Sequence, residues 1–145
     1  MENNIKRVHT GKDLAISSMI LVLGIGLYFV NAGLGIVIAV CGCLMLLFVK
    51  SGVKMNGEGA LLTKVALDID HSCRDSVKDY LDGKDVDPKV EAPAKGGVVR
   101  LEAYFNRQED IVYAQLFDFS NYTYEKATEL VGISGVRARK LISKL

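Results

Sequence analysis

Apolar side chains run from Leu14 to Val49 without a single charge, reading LAISSMILVLGIGLYFV, then NAG, then LGIVIAVCGCLMLLFV. As one helix this stretch would extend roughly 54 Å at about 1.5 Å per residue, far more than a hydrocarbon core of about 30 Å. It is therefore expected to turn back. The Asn31-Ala32-Gly33 step near its middle, a polar amide beside a glycine, is the turn signal. The pattern predicts a transmembrane helical hairpin over 14–49, with spans at 14–30 and 34–49 and the turn at 31–33. Both spans are at the short end of what can cross, so they are expected to stand nearly upright.

Beyond the hairpin the period changes. Residues 50–58 carry glycines and read as a connector, and 59–145 read as one α+β domain. Leu61, Thr63, Val65, Leu67 and Ile69 alternate as in a strand. After Asp70, Ser72 with Asp75 three later resembles a capping box. Cys73, Val77, Tyr80 and Leu81 then share a helical face, and Gly83 is the stop. Residues 84–97 hold both prolines and read as a loop. Val99, Leu101, Ala103 and Phe105 alternate again. A polar turn over 106–110 follows, and then IVYAQLFDF, which is apolar on both sides. Two alternating runs across a short polar turn predict a β-hairpin whose second strand lies inside the sheet. The fold class expected is a two-helix transmembrane hairpin followed by a small α+β domain, with an antiparallel hairpin-containing sheet and two or three helices.

Charge orients the hairpin. The flank 1–13 carries Lys6, Arg7 and Lys12, Lys50 and Lys54 follow the second span, and the tip has none. Basic flanks collect on the cytoplasmic side, so the expectation is a two-pass protein of the inner (cytoplasmic) membrane with both termini, the flank and the α+β domain cytoplasmic. Val30-Asn31-Ala32 has the small residues of a cleavage site, but the apolar region exceeds the about 7–15 residues of a signal peptide and a second span follows at once. Gly35, Ala39 and Cys43, four residues apart, predict a helix-packing seam that serves the hairpin itself or self-association in the membrane. Three cysteines give no paired framework and fit a reducing compartment as small apolar filler.

The formal net charge is +1, but it is segregated: Glu58–Asp118 has eight basic against thirteen acidic residues, while Phe119–Leu145 has five against two. An acidic body lacks the broad basic surface of a general nucleic-acid binder. The tail YTYEKATELVGISGVRARKLISKL nevertheless has the cadence of a helix-turn-helix. Thr123 would cap a first helix ending at Val131, Gly132 would turn, and Ser134 would cap a second helix. Gly132-Ile133-Ser134 followed by a basic helix resembles the DNA-reading units of bacterial regulators. On that resemblance Arg137, Lys140 and Lys144 are candidate nucleic-acid contacts, and on charge alone they are candidate contacts to anionic lipid. A competing parse makes Glu129 to Ile133 a strand on the hairpin and leaves one amphipathic helix, in which Ala138, Leu141, Ile142 and Leu145 form the buried seam.

Reactive chemistry is sparse. Asp68, Asp70, His71, Cys73 and Asp75 crowd together without the spacing of a metal-ligand set, and helix capping accounts for them. Asp82, Asp85 and Asp87 lack the alternation and closing glutamate of a calcium loop. No phosphate-cradling glycine loop or nucleophile elbow is present. The expectations are no enzyme activity, no cofactor and no metal. The partners expected are the lipid bilayer together with a protein partner or a second copy in the membrane. A membrane-tethered DNA-binding regulator is the alternative, and a channel-forming oligomer ranks third.

Overall fold

The computed structural model describes residues 4–93 and 99–145. The chain divides into two compact units, Asn4–Gly59 and Ala60–Leu145.

In the first unit, strand β1 (Ile5–Val8) leads into helix α1 (Gly11–Tyr28), helix α2 (Ala32–Phe48) returns, and strand β2 (Gly52–Met55) pairs antiparallel with β1. By length and composition α1 is apolar and long enough to cross a membrane, whereas α2 is a shorter apolar helix. Both have side-chain caps. Thr10 accepts from the Asp13 backbone N–H while Asp13 Oδ2 accepts from the Thr10 N–H, and Asn31 accepts from the Leu34 N–H. The turn expected at 31–33 lies instead at 29–31, because Asn31 caps α2 and Ala32 and Gly33 are already helical, and α1 begins at Gly11, three residues before the first apolar position. Residues 50–58, expected as a plain connector, carry β2, because their alternation with residues 5–8 completes a two-stranded ribbon across the base of the helices. Asp13 fastens that base: its carboxylate accepts from Ser51 N–H at 2.9 Å and from Ser51 Oγ at 2.7 Å.

The helix pair is inside out. Gly24, Gly35 and Gly42 are buried, whereas Leu14, Ile16, Met19, Val22, Leu23, Ile25, Leu34, Ile36, Val37, Val40, Leu44 and Leu47 point outward. A Cβ on Gly42 would stand 2.6 Å from the Leu21 backbone nitrogen, and one on Gly24 would stand 2.3 Å from that of Ala39. Glycine is needed there because the two backbones approach too closely for a methyl group. Of the predicted seam, Gly35 and Ala39 face α1, while Cys43 is exposed and Gly42 takes its place. The seam follows a spacing of 3.5 rather than 4 residues, as two helices wrapped along their length require.

The second unit contains β3 (Thr63–Ile69), α3 (Arg74–Leu81), β4 (Val99–Asn106), β5 (Ile111–Ser120), β6 (Thr123–Lys126), β7 (Val131–Ser134) and α4 (Gly135–Ile142). The sheet runs β3-β4-β5 with every pairing antiparallel, and β6 and β7 lie in tandem along the far edge of β5. This is an α+β domain, and β5 is interior, as its two apolar faces predict. The break between β6 and β7 is bridged by Thr128, whose Oγ1 accepts from the Leu116 N–H at 3.0 Å and whose carbonyl accepts from Gln115 Nε2 at 2.8 Å.

The helix-turn-helix is overturned. Asn121 and Tyr122 adopt positive φ (49° and 63°), a two-residue turn that folds Thr123–Lys126 back onto β5. Val131–Ser134 is a strand on the other half of β5, close to the competing parse. Threonine, tyrosine and β-branched residues at these positions favour extended backbone next to an unpaired strand. The Ser72–Asp75 capping box is also replaced. Asp70 accepts from the Ser72 N–H at 2.9 Å and caps a 3-10 turn, His71–Cys73, from which α3 continues.

One face of the sheet carries the core. Val65, Leu67 and Ile69, Val99 to Phe105 at alternate positions, and Val112, Ala114, Leu116 and Ile133 meet Val77, Tyr80 and Leu81 of α3 and Ala138, Leu141 and Ile142 of α4. Gly83 at φ +94° terminates α3. The loop after it is irregular over its described residues, 84–93, yet it is laid down on the domain: Pro88 is fully buried, Val90 packs on the core, and the Glu91 carbonyl accepts from the Asp70 N–H. Residues 94–97 of the predicted loop lie outside the described residues.

Candidate functional site

Strand register places the remaining side chains of β3, β4, β5 and β6 on the opposite face of the sheet. Asp68, Arg100, Phe117 and Lys126 form one row across it, and Lys64, Tyr104, Tyr113 and Gly132 form another. Neither helix of this unit covers the face, since α3 and α4 both pack on the other side. Its aromatic content is high: Tyr104, Tyr113, Phe117, Phe119 and Tyr124 all point to it.

The aromatics are held in place by one another and by charge. The Arg100 guanidinium lies 3.9 Å from the Tyr124 ring centroid, and the Phe119 and Tyr124 rings are 5.1 Å apart in a tilted pair. Arg100 Nε donates to Asp68 Oδ1 at 2.8 Å, and this holds the Asp68 carboxyl below the usual carboxylate range. Lys64 Nζ bridges to Glu102 at 3.1 Å and sits 5.4 Å over the Tyr104 ring. The Tyr113 ring lies over Gly132, where a Cβ would come within 3.0 Å of it. Phe119 is 43% exposed and Tyr122, in the turn beside it, is 94% exposed. The result is a half-buried aromatic surface in which Arg100 and Lys64 are already paired with carboxylates. Such a surface is suited to apolar and hydrogen-bonding contact and poorly suited to phosphate, which needs free cations.

The sequence-predicted site residues go elsewhere. Tyr80 of α3 lies against Arg137, whose guanidinium is 4.8 Å from the ring centroid and donates to the Tyr80 carbonyl; Tyr80 Oη donates to the Arg137 carbonyl at 2.6 Å. Lys140 and Lys144 both reach Asp87, at 3.1 Å and 3.5 Å, and Lys140 foremost keeps that carboxyl below its usual range. Arg139 pairs with Asp110 at 3.2 Å. The basic stripe of α4 therefore clamps the 84–93 loop and joins α3 to α4. On the other side of α3, Arg74 holds Asp118 through two bonds of 2.8 Å and 2.6 Å, drawing the Asp118 carboxyl below its usual range.

The crowd after β3 disperses. Asp68 faces the open side, Asp70 caps the 3-10 turn, His71 is exposed, Cys73 is buried and Asp75 is an exposed partner of Arg74. Among the described residues no group of three or more His, Cys, Asp or Glu converges as a metal site. One depression of this unit, about 560 Å³, is an open groove lined by Leu61, Thr63, Phe105 and Arg107 among others, and these lining residues hold no base beside a nucleophile. Sequence reasoning does not find the aromatic face, because two apolar sides of IVYAQLFDF indicate only that the strand lies inside the sheet. The signal that finds it is the type of residue: Tyr113, Phe117 and Phe119 are aromatic, whereas the core side of the same strand is Val112, Ala114 and Leu116.

No family model, curated protein or solved structure matches this chain.

Proposed function

We propose that this chain is a two-pass protein of the inner (cytoplasmic) membrane, both termini cytoplasmic, whose α+β domain holds a protein partner on its open sheet face. The observation that carries the reading is the inverted helix pair, with glycine between the helices and large apolar side chains around them. In water such a surface far exceeds the few hundred Å² of exposed apolar patch that monomers tolerate, whereas in lipid it is the expected arrangement. At 18 and 17 residues the helices measure roughly 27 and 26 Å, enough to cross upright with slight thinning of the bilayer.

A protein partner rather than nucleic acid is favoured by the composition of the face. Tyr, Phe and Arg are the residues enriched at protein interfaces, and the pairing of Arg100 with Asp68 and Lys64 with Glu102 leaves little free positive charge. The role is non-catalytic in this reading, that of a binding module or structural subunit fixed at the membrane.

Photo-crosslinking from position 119 in intact membranes tests it. A discrete, protease-sensitive adduct from position 119, absent when the same crosslinker stands at exposed Asp82, is the expected result. Adducts to lipid alone, or none from position 119, would remove the partner-binding role.

A further inference from the structure

The ribbon at the base of the hairpin gathers cations where its own fold gains nothing from them. Between Asn4 and Gly59 the chain has five basic residues, Lys6, Arg7, Lys12, Lys50 and Lys54, and two acids, Asp13 and Glu58. Lys6 stands directly opposite Lys54 in the β1–β2 register, a like-charge cross-strand pair that weakens a two-stranded ribbon. Lys12 lies in the first turn of α1, where the helix dipole disfavours a cation. The Asp13 carboxylate is spent on Thr10 and Ser51. Among the described residues none of the five cations has an ion-pair partner, whereas seven basic residues of the other unit, Lys64, Arg74, Lys84, Arg100, Arg139, Lys140 and Lys144, are paired.

Three unfavourable placements at one end of an apolar helix pair call for an anion from outside. We infer that the β1–β2 ribbon binds the phosphate groups of anionic phospholipids at the leaflet where the hairpin enters. The occupant is set by position. Lys12 is within α1 itself and Lys50 follows two residues after α2 ends, so the cations begin where the outward apolar side chains stop, at the level a headgroup occupies. The ribbon register sets Lys6 and Lys54 directly opposite each other, and the Lys6 side chain runs alongside Gly57 of the following turn. A soluble polyanion has no reason to find its cations bordering an apolar belt. The inference rests on the membrane reading, and the test separates the two.

The full-length chain is reconstituted in nanodiscs of phosphatidylcholine and phosphatidylglycerol, and the lipids it retains on extraction are quantified by mass spectrometry. Phosphatidylglycerol is expected to be enriched over its share in the disc. The enrichment is expected to fall by about fivefold for each cation removed in Lys6→Gln with Lys54→Gln, and to survive in Lys6→Arg with Lys54→Arg. Raising salt to about 1 M is expected to abolish it. Insertion into both lipids without enrichment overturns the inference and leaves the anchor standing. Enrichment unchanged in the glutamine variant, or lost instead in Lys140→Gln with Lys144→Gln, overturns it by assigning the headgroup contact elsewhere. Failure to insert into either lipid removes the anchor, and this inference with it.

Discussion

Replacing Gly42 by alanine isolates the packing of the helix pair. The new Cβ would stand 2.6 Å from Leu21 N and 2.8 Å from Leu21 Cα, both backbone atoms, where ordinary contact begins at 3.4 Å. No side-chain rotation relieves that overlap, so the helices must part by roughly 1 Å, and close-packed interiors resist such shifts at a cost of about 1–3 kcal/mol. Alanine also favours helix over glycine by about 0.8–1 kcal/mol, which works in the opposite direction. Gly26→Ala supplies the control, because its Cβ meets nothing within 4 Å and only the propensity gain remains. The difference between the two variants cancels propensity and leaves the steric cost. Equilibrium opening in mixed dodecylmaltoside and dodecyl sulfate micelles reads it, followed by energy transfer between fluorophores at exposed positions 19 and 47 in a cysteine-free background. Gly42→Ala is expected to open at lower dodecyl sulfate than the parent, and Gly26→Ala at equal or higher. Equal shifts for the two would refute the seam.

The same opening assay applies to Asp13→Ala, which removes the acceptor of Thr10 N–H, Ser51 N–H and Ser51 Oγ. Earlier opening and faster amide exchange at Ser51 are expected, and unchanged exchange there would show that the clasp does not hold the base. In the α+β domain, Arg74 keeps the Asp118 carboxyl below its usual range, so the unfolded chain takes up a proton before the folded one as pH falls. The pair's stabilisation is complete above about pH 4, the ordinary carboxylate value, and is lost as pH drops through the lowered one. Urea titrations of the full chain in detergent are expected to show a shallower acid limb for Asp118→Asn; an identical limb would mean that the pair contributes nothing. Leu101→Ala, at a fully buried position in the middle of the sheet, is expected to cost about 2–5 kcal/mol in the same titrations.

Hydrophobic pattern carried most of the architecture into the sequence. Alternation marked α3 and strands β3 and β4, because each buries one side and the buried side repeats; both long helices are marked instead by an uninterrupted apolar run, and β5 by apolar residues on both of its sides. What period cannot carry is pairing between distant short segments. Residues 5–8 and 52–55 hold four residues each and look like flanks until they meet. At the other end, Thr123–Lys126 and Val131–Ser134 are too short to reveal a period. Their state is decided by the free edge of β5 and by positive φ at Asn121 and Tyr122, and neither is visible as a hydrophobic pattern. The site was legible in residue type but not in position. Arg137, Lys140 and Lys144 read as a free basic stripe because Tyr80 and Asp87, their partners, lie more than fifty residues away along the chain. The capping box of α1 is legible as Thr10 with Asp13 three later, but the apolar run begins only at Leu14, so hydrophobicity alone places the helix start three residues too late.

The reading of the whole chain turns on whether the inverted helix pair crosses a bilayer twice. In a cysteine-free background, single cysteines at Asn31 and at Leu145 can be probed with a membrane-impermeant maleimide in right-side-out spheroplasts. The account predicts labelling at position 31 from outside and at position 145 only after lysis, with the protein retained in membranes washed at alkaline pH. Labelling of both positions from the same side, or release of the protein by the wash, would contradict it.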